Sequence, residues 1–270
     1  MIKKLILIIA CTVVLNANLN VKIGNILGEE AYNTHQNLIN YLFSNNSSYY
    51  LSDGNINYPL VTKKLQDNGL LKLKYPTTQY IDIDFRFIGQ QKKSLAIIKD
   101  ILKSLGHYYY FTREAKFINE SFTWSIKLKT EAAINPLKLS QALALRNSKI
   151  ENIIREGSLK WHYTINTTNS DIYRAKDLVT NNQLILKKST KAFLIKIDTA
   201  NAINIISRNG NRWHPNVVFY DNELNIIEIV KEDSLQKSLR LDVPIDTKYI
   251  KIDDLYSLAN LKRGISITKE

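Results

Sequence analysis

The sequence predicts an α+β chain: a mixed domain of order β-α-β-β-α-β followed by an antiparallel β-sandwich. Three observations predict it. Two segments, Tyr80–Ile88 and Phe122–Lys129, alternate apolar and polar residues with the period of two of a strand. Between and after them, Ser94–Leu105 and Pro136–Arg146 space their leucines and isoleucines as helices do. Beyond residue 182, short alternating runs follow one another at the spacing of an all-β domain. The 270 residues are 44% hydrophobic with nine glycines and five prolines, so collagen-like and wholly disordered chains are excluded.

The chain begins Met-Ile-Lys-Lys, followed by the apolar stretch Leu5–Leu15 and then Asn16-Ala17. Two lysines, a short apolar core and a small residue at its end predict a secretory signal peptide over 1–17, cleaved after Ala17. The alternative is a lipoprotein site at Ile8-Ile9-Ala10-Cys11, against which stand the six apolar residues before Cys11 and the apolar residues after it. With Ala17 as the cut, the exported protein retains no cysteine. Disulfides, thiolate nucleophiles and cysteine-ligated metals are then excluded. The expected location is the periplasm.

Residues 18–78 form an expected N-terminal helical arm. Glu29–Phe43 carries an apolar stripe, Ser44–Ser48 is a loop, and a second helix runs over 59–74 with Pro59 at its start and Gly69 as its stop. The α/β domain is expected over 79–165. Its first strand is Tyr80–Ile88, its first helix Ser94–Leu105 closed by Gly106, and its second strand the β-prone run His107–Thr112. Phe122–Lys129 is the third strand and Pro136–Arg146 the second helix. Either Ile150–Ile154 or Leu159–Ile165 supplies the last. That order resembles a ferredoxin-like fold. The resemblance implies a docking or dimerisation domain, as in envelope assembly proteins of type IV pili and type II secretion.

A polar connection over 166–181, opened by Asn166-Thr-Thr-Asn-Ser170, precedes the sandwich domain at 182–270. Eight strands are expected there, separated by turns at Asn209-Gly210-Asn211, Tyr220–Glu223 and Pro244–Thr247. Asn216-Val-Val-Phe-Tyr-Asp-Asn-Glu-Leu-Asn-Ile-Ile-Glu-Ile229, then Leu239–Pro244 and Thr247–Ile252, resemble jelly-roll modules related to bacterial pre-peptidase C-terminal and galactose-binding-like domains. Those modules bind or position rather than react.

No catalytic constellation stands out. His35, His107, His162 and His214 are not paired at helical spacing, and there is no His-Glu-x-x-His, Gly-x-Ser-x-Gly or phosphate-cradling glycine loop. Ser234-Leu-Gln-Lys237 lacks the partners of a Ser-x-x-Lys enzyme. Asp82 and Asp84 share one strand face, and Asp253-Asp254 reads as helix capping. The charge of +12 is scattered, without a run of five cations, and reads mainly as a solvated surface. The outstanding segment is Ser207–Pro215, which gathers Arg208, Asn209, Asn211, Arg212, Trp213 and His214 between two strands. Such a loop suits a protein partner, or a glycan stacked on the indole; the alternative is that Trp213 closes the core. The expected function is a non-enzymatic adaptor or scaffold docking onto an envelope protein assembly, with a cell-wall glycan-binding accessory protein as the alternative. No cofactor, metal or nucleic acid is expected.

Overall fold

The structure is a computed structural model that describes residues 19–118 and 121–270, the side chain of Asn46 excepted; the expected signal peptide and Cys11 lie outside the described residues. The described residues divide into two compact units, the first reaching to Asp171 and the second running over Ile172–Glu270.

Unit 1 begins with helical segments: α1 (19–27), α2 (Glu29–Thr34), α3 (Gln36–Leu42) and α4 (Tyr58–Asp67). His35 interrupts the helix expected over 29–43, its amide reaching back to the carbonyls of Ala31 and Tyr32. Helix α4 starts where its proline predicts but stops at Asp67, short of the residue 74 expected, because Gly69 turns the chain at φ +70° and β1 already begins at Lys74. Asn57 caps it by accepting from the Leu60 amide, and Pro59 occupies its first turn, where a missing N–H has no helical partner to lose.

The sheet of unit 1 is built from β1 (Lys74–Ile88), β2 (Tyr110–Ile118), β3 (Ser121–Ala132), β4 (Lys149–Glu156) and β5 (Lys160–Asn166), in the order β2-β3-β1-β5-β4. Helix α5 (Gln91–Ser104) links β1 to β2, and α6 (Pro136–Ala144) links β3 to β4. Both segments offered for the last strand are strands, joined as an antiparallel hairpin. The element order is therefore β-α-β-β-α-β-β. Strand β5 lies parallel to β1 while β3 lies antiparallel on its other side.

Alternation along β1 drives Ile81, Ile83, Phe85 and Phe87 into the core and leaves Asp82, Asp84 and Arg86 on the other face. On the core face Phe85 stacks on Trp124 and on Tyr163, with ring centroids 5.9 and 5.7 Å away. Ile97, Ile98, Ile101 and Leu102 of α5, at helical spacing, are buried as well. Trp161 and Tyr163 point inward, as alternation requires, and His162 between them points out.

Unit 2 is a β-sandwich of nine strands. One sheet has the order β11-β10-β13-β8-β6, from β6 (Lys176–Asp177), β8 (Phe193–Lys196), β10 (Pro215–Tyr220), β11 (Ile226–Lys231) and β13 (Tyr249–Asp254). The other has the order β12-β9-β14-β7, from β7 (Gln183–Leu186), β9 (Ala202–Ser207), β12 (Ser238–Asp242) and β14 (Ile265–Lys269). All eight strands expected from alternation are present, and β6 is added within the expected connection. Inward residues of both sheets, among them Ile195, Ile203, Ile205, Val217, Phe219, Ile250, Ile252, Ile265 and Ile267, make one core. Burying one such aliphatic side chain contributes roughly 1.5–3 kcal/mol. The core therefore fixes register, since a slip by one residue would turn every one of these side chains outward.

Candidate functional site

The segment Ser207–Pro215 leaves β9 and enters β10 at one end of the sandwich. Its six singled-out residues divide into a set that holds the loop and a set that leaves it. Trp213 belongs to the first. It is 1% exposed, packs within the core, and its Nε1 donates to the Asp253 carbonyl at 2.9 Å. An indole held in this way offers no ring face to a sugar, so the stacking role raised for Trp213 gives way to the core role. The physical reason is its parity with inward Val217 and Phe219, each an even number of residues further on, and the apolar space between the sheets that only a large side chain fills.

Asn211 is also a brace. Its Nδ2 donates to the Gly264 carbonyl at 2.7 Å and to Ser207 Oγ at 3.2 Å, and its Oδ1 accepts from the Arg263 amide at 2.8 Å. The Arg212 amide donates to the Asn260 carbonyl at 3.0 Å. Together these bonds tie 207–215 to the 258–264 segment, which includes a short 3₁₀ turn at Leu258–Leu261. Gly264 sits at φ +82°, and a Cβ there would collide with the Leu186 carbonyl oxygen, so glycine is required where the second loop enters β14 beside β7.

His214 is half-buried. Its amide donates to Asp254 Oδ2 at 2.7 Å, its Nδ1 lies 3.6 Å from that oxygen, and its ring meets the Tyr256 ring edge-on at 4.9 Å. Asp254 is the hub of this end. Its side chain is fully buried, and Oδ1 accepts from the amides of Tyr256 and Ser257 and from Asn260 Nδ2, at 3.0, 2.8 and 2.9 Å. Burial alone would raise the Asp254 pKa. The bonds from the His214, Ser257 and Tyr256 amides and the Asn260 side chain outweigh it and hold the carboxyl below its ordinary value. The adjacent Tyr256 hydroxyl bonds Asp233, and that bond, followed by burial, raises the Tyr256 pKa.

What this frame presents to solvent is basic. Arg208, Asn209 and Arg212 are exposed on the first loop, and Lys262 and Arg263 are exposed on the second. The Arg263 side chain passes close to Gly210, joining the two sets into one patch. Sequence reasoning finds the first loop from its composition. It misses Lys262 and Arg263 because they lie some fifty residues away, and only the register of β14 beside β9 brings them in.

The other candidates resolve into surface pairs. Asp82 and Asp84 do not act as a carboxylate couple. Asp82 binds Arg113 at 2.9 Å and faces Lys127 at 3.7 Å, whereas Asp84 faces His162 Nδ1 at 3.1 Å. His162 Nε2 in turn lies 3.0 Å from Glu156. In unit 1 an open cleft of about 840 Å³ has Glu29, Glu30, His35, Lys72, Arg155 and Ser158 among its lining residues. Its Arg155 is held against the cleft wall, donating to the Gly157 and Lys72 carbonyls and lying 4.9 Å from the Trp161 ring centroid. Among the described residues no group of three histidine, cysteine or acidic side chains is placed to hold a metal ion. Among them, too, no helix is long and apolar enough to cross a membrane. Comparison of the chain with protein-family models, curated proteins and solved structures finds no match.

Proposed function

We propose that this chain is an exported, non-enzymatic adaptor that docks onto a cell-envelope assembly through the basic end of its sandwich. The observation that carries the reading is the patch of Arg208, Arg212, Lys262 and Arg263. Four exposed cations stand on two loops that Asn211 and Asp254 lock together, and a preorganised charged surface binds at less entropic cost than a floppy one. Such a patch suits an acidic protein surface, with arginine forks meeting carboxylates. On this reading unit 1 is a ferredoxin-like docking domain enlarged by a hairpin. Its sheet runs β2-β3-β1-β5-β4, with β5 lying between β1 and the edge strand β4. The sandwich is likewise read as a jelly-roll-like positioning module.

The test is retention of partners by a C-terminally tagged chain crosslinked lightly in living cells. Wild type is expected to retain one envelope assembly reproducibly. Arg208→Glu with Arg212→Glu is expected to lose at least about tenfold of that retention, with thermal stability unchanged, because exposed charges contribute little to folding. Raised salt should weaken the wild-type complex in the same direction. Equal retention by the variant overturns the docking site. Sedimentation with purified sacculi and no protein partner would instead make the chain a glycan-binding protein.

A further inference from the structure

Strand β2 forms one edge of the unit 1 sheet, and among the described residues no strand pairs with its outer side. From Phe111 to Ile118 every residue is exposed, including Phe111 at 68% and Phe117 at 64%. A nine-residue edge with open backbone donors and acceptors is a template for another strand. The usual protections are present: a bulge between Thr112 and Glu114, and the charges of Arg113, Glu114 and Lys116. They exclude most partners. The pattern they make admits one.

Side chains of β2 divide between the faces of the sheet. Tyr110, Thr112 and Phe117 lie on the core face, where Tyr110 and Thr112 meet Trp124 and Phe117 meets Phe122. Ala115, opposite inward Trp124, joins them. Arg113 binds Asp82, and Glu114 pairs with Lys116 at 2.6 Å, so these three lie on the opposite face together with Phe111. The bulge puts the neighbours Arg113 and Glu114 on the same side, which breaks the alternation at its midpoint.

We propose that a second copy of this chain pairs with the first along β2, antiparallel and about a two-fold axis through the bulge. Residues directly opposite in an antiparallel pair share a face, and a two-fold axis normal to the sheet preserves faces. Over the residues Tyr110–Phe117 a single register satisfies both conditions. It sets Tyr110 against Phe117 of the second copy, Phe111 against Lys116, Thr112 against Ala115, and Arg113 against Glu114. The central charges then meet with opposite sign, twice, by symmetry. The aromatic row of Tyr110, Trp124, Phe122 and Phe117 continues across the junction on the core face. A register shifted by two residues in the Lys116 direction sets Arg113 against Lys116 and a core-facing residue against an outward one. Two five-stranded sheets would thus join into one continuous sheet.

The proposal is independent of the basic patch of unit 2, and its test leaves that patch intact. The purified full chain is followed by sedimentation equilibrium, with circular dichroism as the control for folding. Wild type is expected to pass from monomer to dimer below about 100 µM. Arg113→Glu alone and Glu114→Arg alone each set like charges opposite at the axis, and each is expected to weaken the dimer at least about tenfold. The double variant Arg113→Glu/Glu114→Arg restores opposite charges across the axis and is expected to recover the dimer. Within one chain the double variant still sets an acidic side chain at position 113 near Asp82 and a basic one at position 114 near Lys116. Recovery therefore reports on the contact between copies alone. In a Cys11→Ser background, oxidising a mixture of Thr112→Cys and Ala115→Cys chains should give a heterodisulfide that neither chain gives alone with itself. A wild type that stays monomeric, single variants that dimerise as well as wild type, or a mixture without the heterodisulfide would each overturn the pairing.

Discussion

Trp213→Ala is expected to destabilise the sandwich by about 3–5 kcal/mol, the range for truncating a large buried aromatic. The variant opens a cavity between the sheets and leaves the Asp253 carbonyl without the indole N–H that now reaches it. For a unit of this size each kcal/mol lowers the melting temperature by about 4–8 °C, so a drop of at least about 12 °C should appear in calorimetry. Trp124 and Trp161 report on unit 1 and supply an internal reference for fluorescence. Trp213→Phe keeps most of the volume and loses the hydrogen bond, so its cost should be smaller, about 1–2 kcal/mol. A melting temperature within a degree or two of wild type for Trp213→Ala would mean that the indole is a surface residue, and the sugar-stacking role would return.

Asp254→Ala is the second large effect. The carboxylate is buried and accepts bonds from three backbone amides and one side-chain amide, which the variant leaves with fewer partners at one end of the core. Orphaned buried donors cost roughly 1–3 kcal/mol each where water cannot reach them, and a total of about 3–5 kcal/mol is expected. The same hub sets an acid limit. Because its pKa is lowered on folding, its stabilisation is present above the ordinary carboxylate value and is lost as pH falls through the lowered one. The unfolding free energy of wild type should therefore fall below about pH 4, and that of Asp254→Asn should fall less steeply there. Parallel acid profiles for the two proteins would remove Asp254 from this role.

Much of the architecture is legible in periodicity. Ile81, Ile83, Phe85 and Phe87 announce β1 because one face of that strand is buried and the other is solvated, the condition under which alternation is visible. The helices α4 and α6 both follow a capping asparagine and carry a proline in the first turn, and both start as those residues dictate. Strand β2 is only half visible. Tyr110–Thr112 look like strand, but Arg113–Lys116 lack any apolar alternation, because an edge residue exposed on both sides is under no burial constraint. The final hairpin is ambiguous for the opposite reason: both of its strands bury residues, and sequence alone does not say which one lies beside β1. In the candidate site, local composition exposes the loop of Arg208–His214. It does not separate braces from projecting residues, since Asn211 and Asn209 look alike until the carbonyl of Gly264 is found beside one of them.

The central position of β1 has a consequence for how the chain acquires its structure. Asp82 pairs on one side with Lys127 and on the other with Lys160, the second partner roughly 80 residues downstream. Closing loops of that length before any ladder bond rewards them makes nucleation slow relative to a helical bundle of equal size. The middle strand of this sheet completes its pairing only when residues beyond 160 have emerged. On the proposed export route, a chain that threads a translocation channel unfolded would gain time from that delay, because the β1–β5 ladder waits for the last strand of the sheet.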